Sequence, residues 1–128
     1  MELSGSSHGA LIGRDFFRQN PVTCARELIG CHLVWGESVS IIAETEAYLE
    51  KGDEACHTFF RKSTRQFVEE NDAGTAYVYL NYGVHWMLNV LIKGRENGFV
   101  LFRALEPVKG IAAMKKRRGL EEISSLCS

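Results

Sequence analysis

The stretch Cys31-His32-Leu33-Val34-Trp35-Gly36-Glu37-Ser38-Val39-Ser40-Ile41-Ile42-Ala43-Glu44-Thr45-Glu46-Ala47-Tyr48 decides the fold. Two β-rich runs, Cys31–Trp35 and Val39–Ala43, flank the turn-like Gly36-Glu37-Ser38, so the segment reads as a β-hairpin. The second run continues into an alternation that puts Glu44, Glu46 and Tyr48 on one side of a strand and Thr45, Ala47 and Leu49 on the other. Two carboxylates and a ring on one strand face are either solvent-facing polarity or a place where a carboxylate can serve as a general base.

Moving toward the N-terminus, Asn20-Pro21 combines an N-cap residue with proline at the first helical position, and Val22, Ala25, Leu28 and Ile29 recur at helical spacing before the terminating Gly30. A short scaffold helix is expected there, preceded by an apolar anchor at Asp15-Phe16-Phe17. Met1–Gly9 is rich in Ser and Gly, and residues 1–12 are expected to be flexible.

Toward the C-terminus, Glu50–Gly74 is polar and aperiodic, a long connection of the kind that commonly borders a site. Thr75–Leu80 and Val84–Ile92 read as strands joined around Asn81-Tyr82-Gly83, a tight turn that would present Tyr82 at a hairpin tip. Gly98–Leu105 reads as a buried strand stopped by Glu106-Pro107, and Arg103 on it would need a partner. Ile111–Arg118 resumes a helical pattern.

Composition narrows the class without naming a function. With 128 residues, 45% apolar and 24% charged, the chain has the balance of one ordinary globular domain. A net charge of −1 and a pI near 6.4 lack the overall basicity of many nucleic-acid binders. Lys115-Lys116-Arg117-Arg118 is a local basic run that could meet phosphates or simply end a solvated helix. Cys24, Cys31, Cys56 and Cys127 form no Cys-x-x-Cys pair, and no charged-then-apolar leader precedes Leu11. They read as reduced thiols of an intracellular protein, cytoplasmic and nucleoid-associated or nuclear. Apolar runs such as Val90-Leu91-Ile92 fall far short of the roughly 20 residues that cross a bilayer, so no membrane partner is expected.

Two constellations have chemical potential. Asp53, Glu54, Cys56 and His57 carry zinc-donor groups, but adjacent Cys and His side chains rarely reach one ion, and no second ligand pair follows; no metal is expected. A Cys56/His57 nucleophile dyad is disfavoured too, since catalytic partners meet across a fold rather than as sequence neighbours. Tyr77-Val78-Tyr79-Leu80-Asn81-Tyr82-Gly83 is dense in tyrosine. With Asn89 it suits either strand packing or a slot that stacks a planar ligand and reads its edge.

Glu44-Thr45-Glu46-Ala47-Tyr48, Asp53-Glu54-Ala55-Cys56-His57, Tyr77-Val78-Tyr79-Leu80-Asn81-Tyr82-Gly83 and Arg103-Ala104-Leu105-Glu106-Pro107 together resemble, in order and spacing, the alkyladenine (3-methyladenine) DNA glycosylase family. The resemblance begins near Asp15-Phe16-Phe17 and Ala25-Arg26-Glu27-Leu28-Ile29-Gly30. It implies base-excision repair of duplex DNA: hydrolysis of the N-glycosidic bond of a flipped, alkylated purine by a monomer without metal or organic cofactor. Residue by residue, Glu46 matches the general base and Arg103 the arginine that helps hold the base and its water. Tyr48, His57 and Tyr79 match the lining of the purine pocket, Asn89 the residue that discriminates against guanine, and Tyr82 the wedge that enters the duplex. Glu44 matches no catalytic position.

Departures from the family pattern are equally specific. The usual Thr-x-Arg-Asn followed by Met-Phe is replaced by Ser63-Thr64-Arg65-Gln66 and then Glu69-Glu70, which makes an apolar and basic surface acidic. Family members continue beyond the position of Ser128. The expected architecture over residues 1–128 is therefore one mixed α/β domain, C-terminally incomplete, with a curved, mainly antiparallel, partly open barrel-like sheet and flanking helices. The competing readings are a non-catalytic damaged-DNA binder or inactive fragment of the same family, and an unrelated β domain whose tyrosines are core.

Overall fold

The computed structural model describes residues 1–5, 11–51, 62–81 and 85–109, with the side chains of residues 62, 79–81, 85 and 109 outside that description. The expected hairpin forms. Strand β2 (His32–Trp35) turns through Gly36, at φ +62°, into the twelve-residue β3 (Ser38–Leu49), with Trp35 opposite Ser38. A positive φ suits glycine, which has no Cβ to clash with the backbone.

β3 is a central strand of one antiparallel sheet, in the order β1-β2-β3-β6-β5-β4, in which β1 is Glu2–Ser4, β4 Ala76–Asn81, β5 His85–Ile92 and β6 Gly98–Lys109. The sheet is curled, as expected.

Helix α1 (Pro21–Leu28) starts where Asn20 Oδ1 accepts from the amides of Val22 at 2.8 Å and Thr23 at 3.4 Å, and Gly30 at φ +85° turns the chain out of it. Its buried face is Pro21, Cys24, Ala25 and Leu28, whereas Val22 and Ile29 are exposed. The apolar stripe expected from the sequence is thus shifted, with Cys24 acting as a small hydrophobe. α1 lies on one face of the sheet against β3 and β6, and its residues join Leu33, Ile42, Val90, Ile92, Val100 and Phe102 in the main core. Each large aliphatic or aromatic side chain fully buried there contributes about 1.5–3 kcal/mol.

Three sequence expectations are corrected. Glu2–Ser4, in the segment expected to be flexible, is a paired strand: Leu3 is buried and the segment adds to the β2 edge, while Ile12 donates its amide to the Leu3 carbonyl at 2.7 Å. Within the expected Glu50–Gly74 loop lies a helix, α2 (Lys62–Glu70), because Thr64, Phe67, Val68 and Asn71 fall at i, i+3, i+4 and i+7. Lys93 Nζ ends it by donating to the carbonyls of Val68 at 2.7 Å and Asn71 at 3.1 Å.

Glu106-Pro107 likewise does not stop β6, which runs to Lys109 with Pro107 opposite Ser40. Among the described residues β6 pairs with β5 only from Gly98 to Leu101, so this end of β6 is an edge, where a residue without an N–H is tolerated. The helical pattern at Ile111–Arg118 and the basic run Lys115–Arg118 lie outside the described residues.

α2 sits over the sheet face opposite α1. Val68, Leu91 and Phe99 are buried there with Tyr48, Phe67 and Tyr77 against them. The Tyr77 ring lies 4.7 Å from Phe67 and 5.1 Å from Phe99, and its hydroxyl is 3.2 Å from Thr64 Oγ1. Among the described residues no helix is long and apolar enough to cross a membrane.

Candidate active site

The site face is organised by register. Tyr77 pairs with Asn89, Asn89 with Leu101, and Leu101 with Glu46, so four residues form one row across β4, β5, β6 and β3 and project to the same side. Strand spacing puts Glu46 and Asn89, two strands apart, at roughly 10 Å. In the adjacent row Tyr48 pairs with Phe99. Fully buried Asn89 and almost fully buried Leu101 form the floor between the carboxylate and the aromatic cluster under α2.

Between Ile42 and Thr45 on β3, and between Phe102 and Leu105 on β6, the ladder shifts twice and then recovers its register. Ile42 pairs with Leu105, Glu44 with Ala104 and Thr45 with Phe102, which leaves Ala43 and Arg103 without register partners. Such bulges re-aim side chains. Arg103 Nη1 thereby comes within 3.7 Å of Glu46 Oε2, although Glu46 faces Leu101. The arginine is not buried, as the sequence had suggested: its side chain is 59% exposed, and that of Glu46 38%. The two side chains approach each other at the solvent-exposed surface of the sheet.

The Tyr48 hydroxyl donates to the same oxygen, Glu46 Oε2, at 3.1 Å. On the reverse side of β3, the Thr45 hydroxyl donates to the Ala25 carbonyl of α1 at 2.7 Å and anchors the strand next to the carboxylate. Asn89 is the conspicuous polar group. Its Nδ2 makes only long contacts, 3.5 Å to the Tyr77 carbonyl and 3.4 Å to that of Met87, and its buried Oδ1 has no hydrogen-bond partner among the described residues. A buried acceptor left unpaired costs about 1–3 kcal/mol, so such a group asks for a ligand that donates to it.

The structure therefore brings Glu46, Arg103 and Tyr48 together, with Asn89 on the same face. Tyr79 lies on β4 opposite Met87, with its side chain outside the description. His57 and Tyr82 lie outside the described residues, as do Asp53, Glu54 and Cys56; among the described residues no group of His, Cys, Asp and Glu could hold a metal. Sequence reasoning missed α2 and, with it, the roles of Thr64 and Phe67 in fixing Tyr77. The i, i+3, i+4 stripe from Thr64 was legible, but its polar surroundings hid it.

Comparison with known proteins gives the family. Residues 15–128 match the family model for methylpurine-DNA glycosylase. A Rhodopseudomonas palustris protein named "Putative 3-methyladenine DNA glycosylase" is 46% identical over 121 residues, 94% of this chain and 58% of its own length. Proteins of the same name from Rhizobium etli and Prosthecochloris aestuarii are 43% and 41% identical, over 94% and 88% of this chain and 60% and 57% of theirs. The chain thus spans somewhat under two thirds of the length of these relatives. With the family model matching all but its first residues, the chain belongs to the methylpurine-DNA glycosylase family.

Proposed function

We propose that the chain carries the base-release centre of a monofunctional DNA glycosylase acting on alkylated purines of the 3-methyladenine type, flipped out of duplex DNA. The observation that carries this reading is the register row, which sets a half-exposed carboxylate, Glu46, and an unpaired buried acceptor, Asn89 Oδ1, on one face beside an aromatic cluster. A flipped purine would present its edge to Asn89 and its face to Tyr48. The family membership and the names of the relatives point the same way.

In the proposed reaction Glu46 takes a proton from water, and the oxygen bonds to C1′ as the C1′–N bond breaks. The bonding pair leaves with the base, where it neutralises the positive charge of an alkylated ring. That charge makes the base a better leaving group, so a single general base, contributing about 100- to 10,000-fold, is sufficient. Arg103 helps hold the attacking water beside the Glu46 carboxylate.

Tyr48, His57 and Tyr79 line the purine slot, where aromatic faces favour an electron-poor base by roughly 0.5–2 kcal/mol. Asn89 discriminates among purine edges. Tyr82 enters the space the base vacates and offsets part of an unstacking cost of a few kcal/mol, least at damaged pairs. The test is single-turnover release of 3-methyladenine from methylated duplex, comparing the chain with Glu46→Gln while recording DNA binding. Release by the unmodified chain alone supports the reading. Binding without release from either protein replaces it with a damaged-DNA binder.

A further inference from the structure

We propose that Tyr48, beyond any contact with a base, is a positioning residue that fixes the Glu46 carboxylate through its phenol; the inference rests on Glu46 being the general base. The two side chains stand two residues apart on the same face of β3, and the Tyr48 hydroxyl donates to Glu46 Oε2 at 3.1 Å. Arg103 Nη1 approaches that same oxygen at 3.7 Å, and among the described residues nothing is bonded to Oε1. The two carboxylate oxygens are thus unequal: Oε2 is held, and Oε1 is left for the proton of the attacking water.

Of the two donors, Tyr48 is the better fixed. Its ring packs against the cluster of Val68, Leu91 and Phe99, so little beyond the hydroxyl rotor is free to move. Arg103 is a long, 59% exposed side chain at more than hydrogen-bond distance, and an exposed ion pair of that kind constrains its partner weakly. A bond to a charged acceptor is also stronger than one between neutral groups. Among the described residues the groups facing Glu46 are Glu44 and Tyr48 on its own strand, Arg103 on β6 and the neutral Asn89 on β5. Among them Tyr48 is the neutral donor bonded to the carboxylate.

Tyr48→Phe separates the roles, because it keeps the ring and its packing and removes only the donor. The expected result is single-turnover release of 3-methyladenine slowed roughly tenfold or more, with affinity for methylated duplex and melting temperature close to those of the unmodified chain. A second readout needs no activity: the carbon-13 chemical shift of the Glu46 side-chain carboxylate, compared at one fixed pH, should differ between Tyr48→Phe and the unmodified chain, since the donor to Oε2 has been lost. Unchanged release and an unchanged carboxylate shift overturn the proposal and leave Tyr48 as a stacking surface. If the unmodified chain releases no base, it is the enzymatic reading that fails, and the carboxylate shift alone decides whether the phenol holds the carboxylate.

Discussion

Arg103 and Glu46 are not register partners, yet the arginine Nη1 lies 3.7 Å from the glutamate Oε2. The two meet because β6 carries an extra residue at Arg103, where β3 carries its own at Ala43. With both side chains more than a third exposed, the pair adds little to folding. Arg103→Met should therefore change stability by less than about 0.5 kcal/mol while slowing base release about tenfold or more. Thermal melts and single-turnover assays on one preparation check both halves, and a large loss of stability would contradict the geometry.

Asn89→Leu should behave in the opposite way. Removing the orphaned Oδ1 relieves a penalty of about 1–3 kcal/mol, so the variant should be at least as stable as its parent. With the polar edge gone, the ratio of damaged to normal purine release should fall. Urea midpoints and competition between methylated and undamaged duplex measure the two effects; a strongly destabilised variant would mean that Nδ2 contributes more than its long contacts suggest.

Gly98→Ala tests how tightly the strand beside Tyr48 is packed. A Cβ at Gly98 would collide with the Tyr48 carbonyl oxygen and approach Pro21 Cγ at 3.0 Å, and neither backbone nor proline ring yields easily. A loss of roughly 2–3 kcal/mol is expected, seen as a lower urea midpoint at unchanged m-value.

Helix ends provide a smaller, cleaner measurement. Asn20→Ala removes the acceptor for the Val22 and Thr23 amides and should cost about 1 kcal/mol. Lys93→Met frees the Val68 and Asn71 carbonyls at the end of α2 and should cost a similar amount, about 1 kcal/mol. The Lys93 variant alone should loosen α2, read as faster amide exchange at Phe67 and Val68.

Burial, with help from Glu27, pushes the Cys24 thiol up from 9.0 to about 11. A thiol whose folded value is raised binds its proton more tightly when folded, so its contribution to stability is complete below pH 9.0 and is lost as the pH rises toward about 11. Denaturation from pH 8 to 11 should show that decline, flattened in Cys24→Ala. Iodoacetamide at pH 8 should leave Cys24 unmodified until the chain unfolds.

The local elements were legible because they are written in short range. Asn20-Pro21 and Gly30 mark α1, Gly36 marks the hairpin, and alternation along β3 puts Glu46 and Tyr48 on one face. Where the signal was faint, the reading went astray: three residues of β1 are too few to show a period, and α2 presents a narrow apolar stripe among charges.

By itself the sequence determined the residue types and which of them share a side of a strand, because alternation and capping depend only on neighbours along the chain. Which residues face one another was decided by the tertiary structure. The pairing of Asn89 with Leu101 and of Leu101 with Glu46, and the paired bulges that turn Arg103 toward the carboxylate, arise from strand register across β5, β6 and β3. Register is set by packing against α1 on one face and α2 on the other. A shift of one residue would send Glu46 to the opposite face, and nothing within β3 alone forbids it.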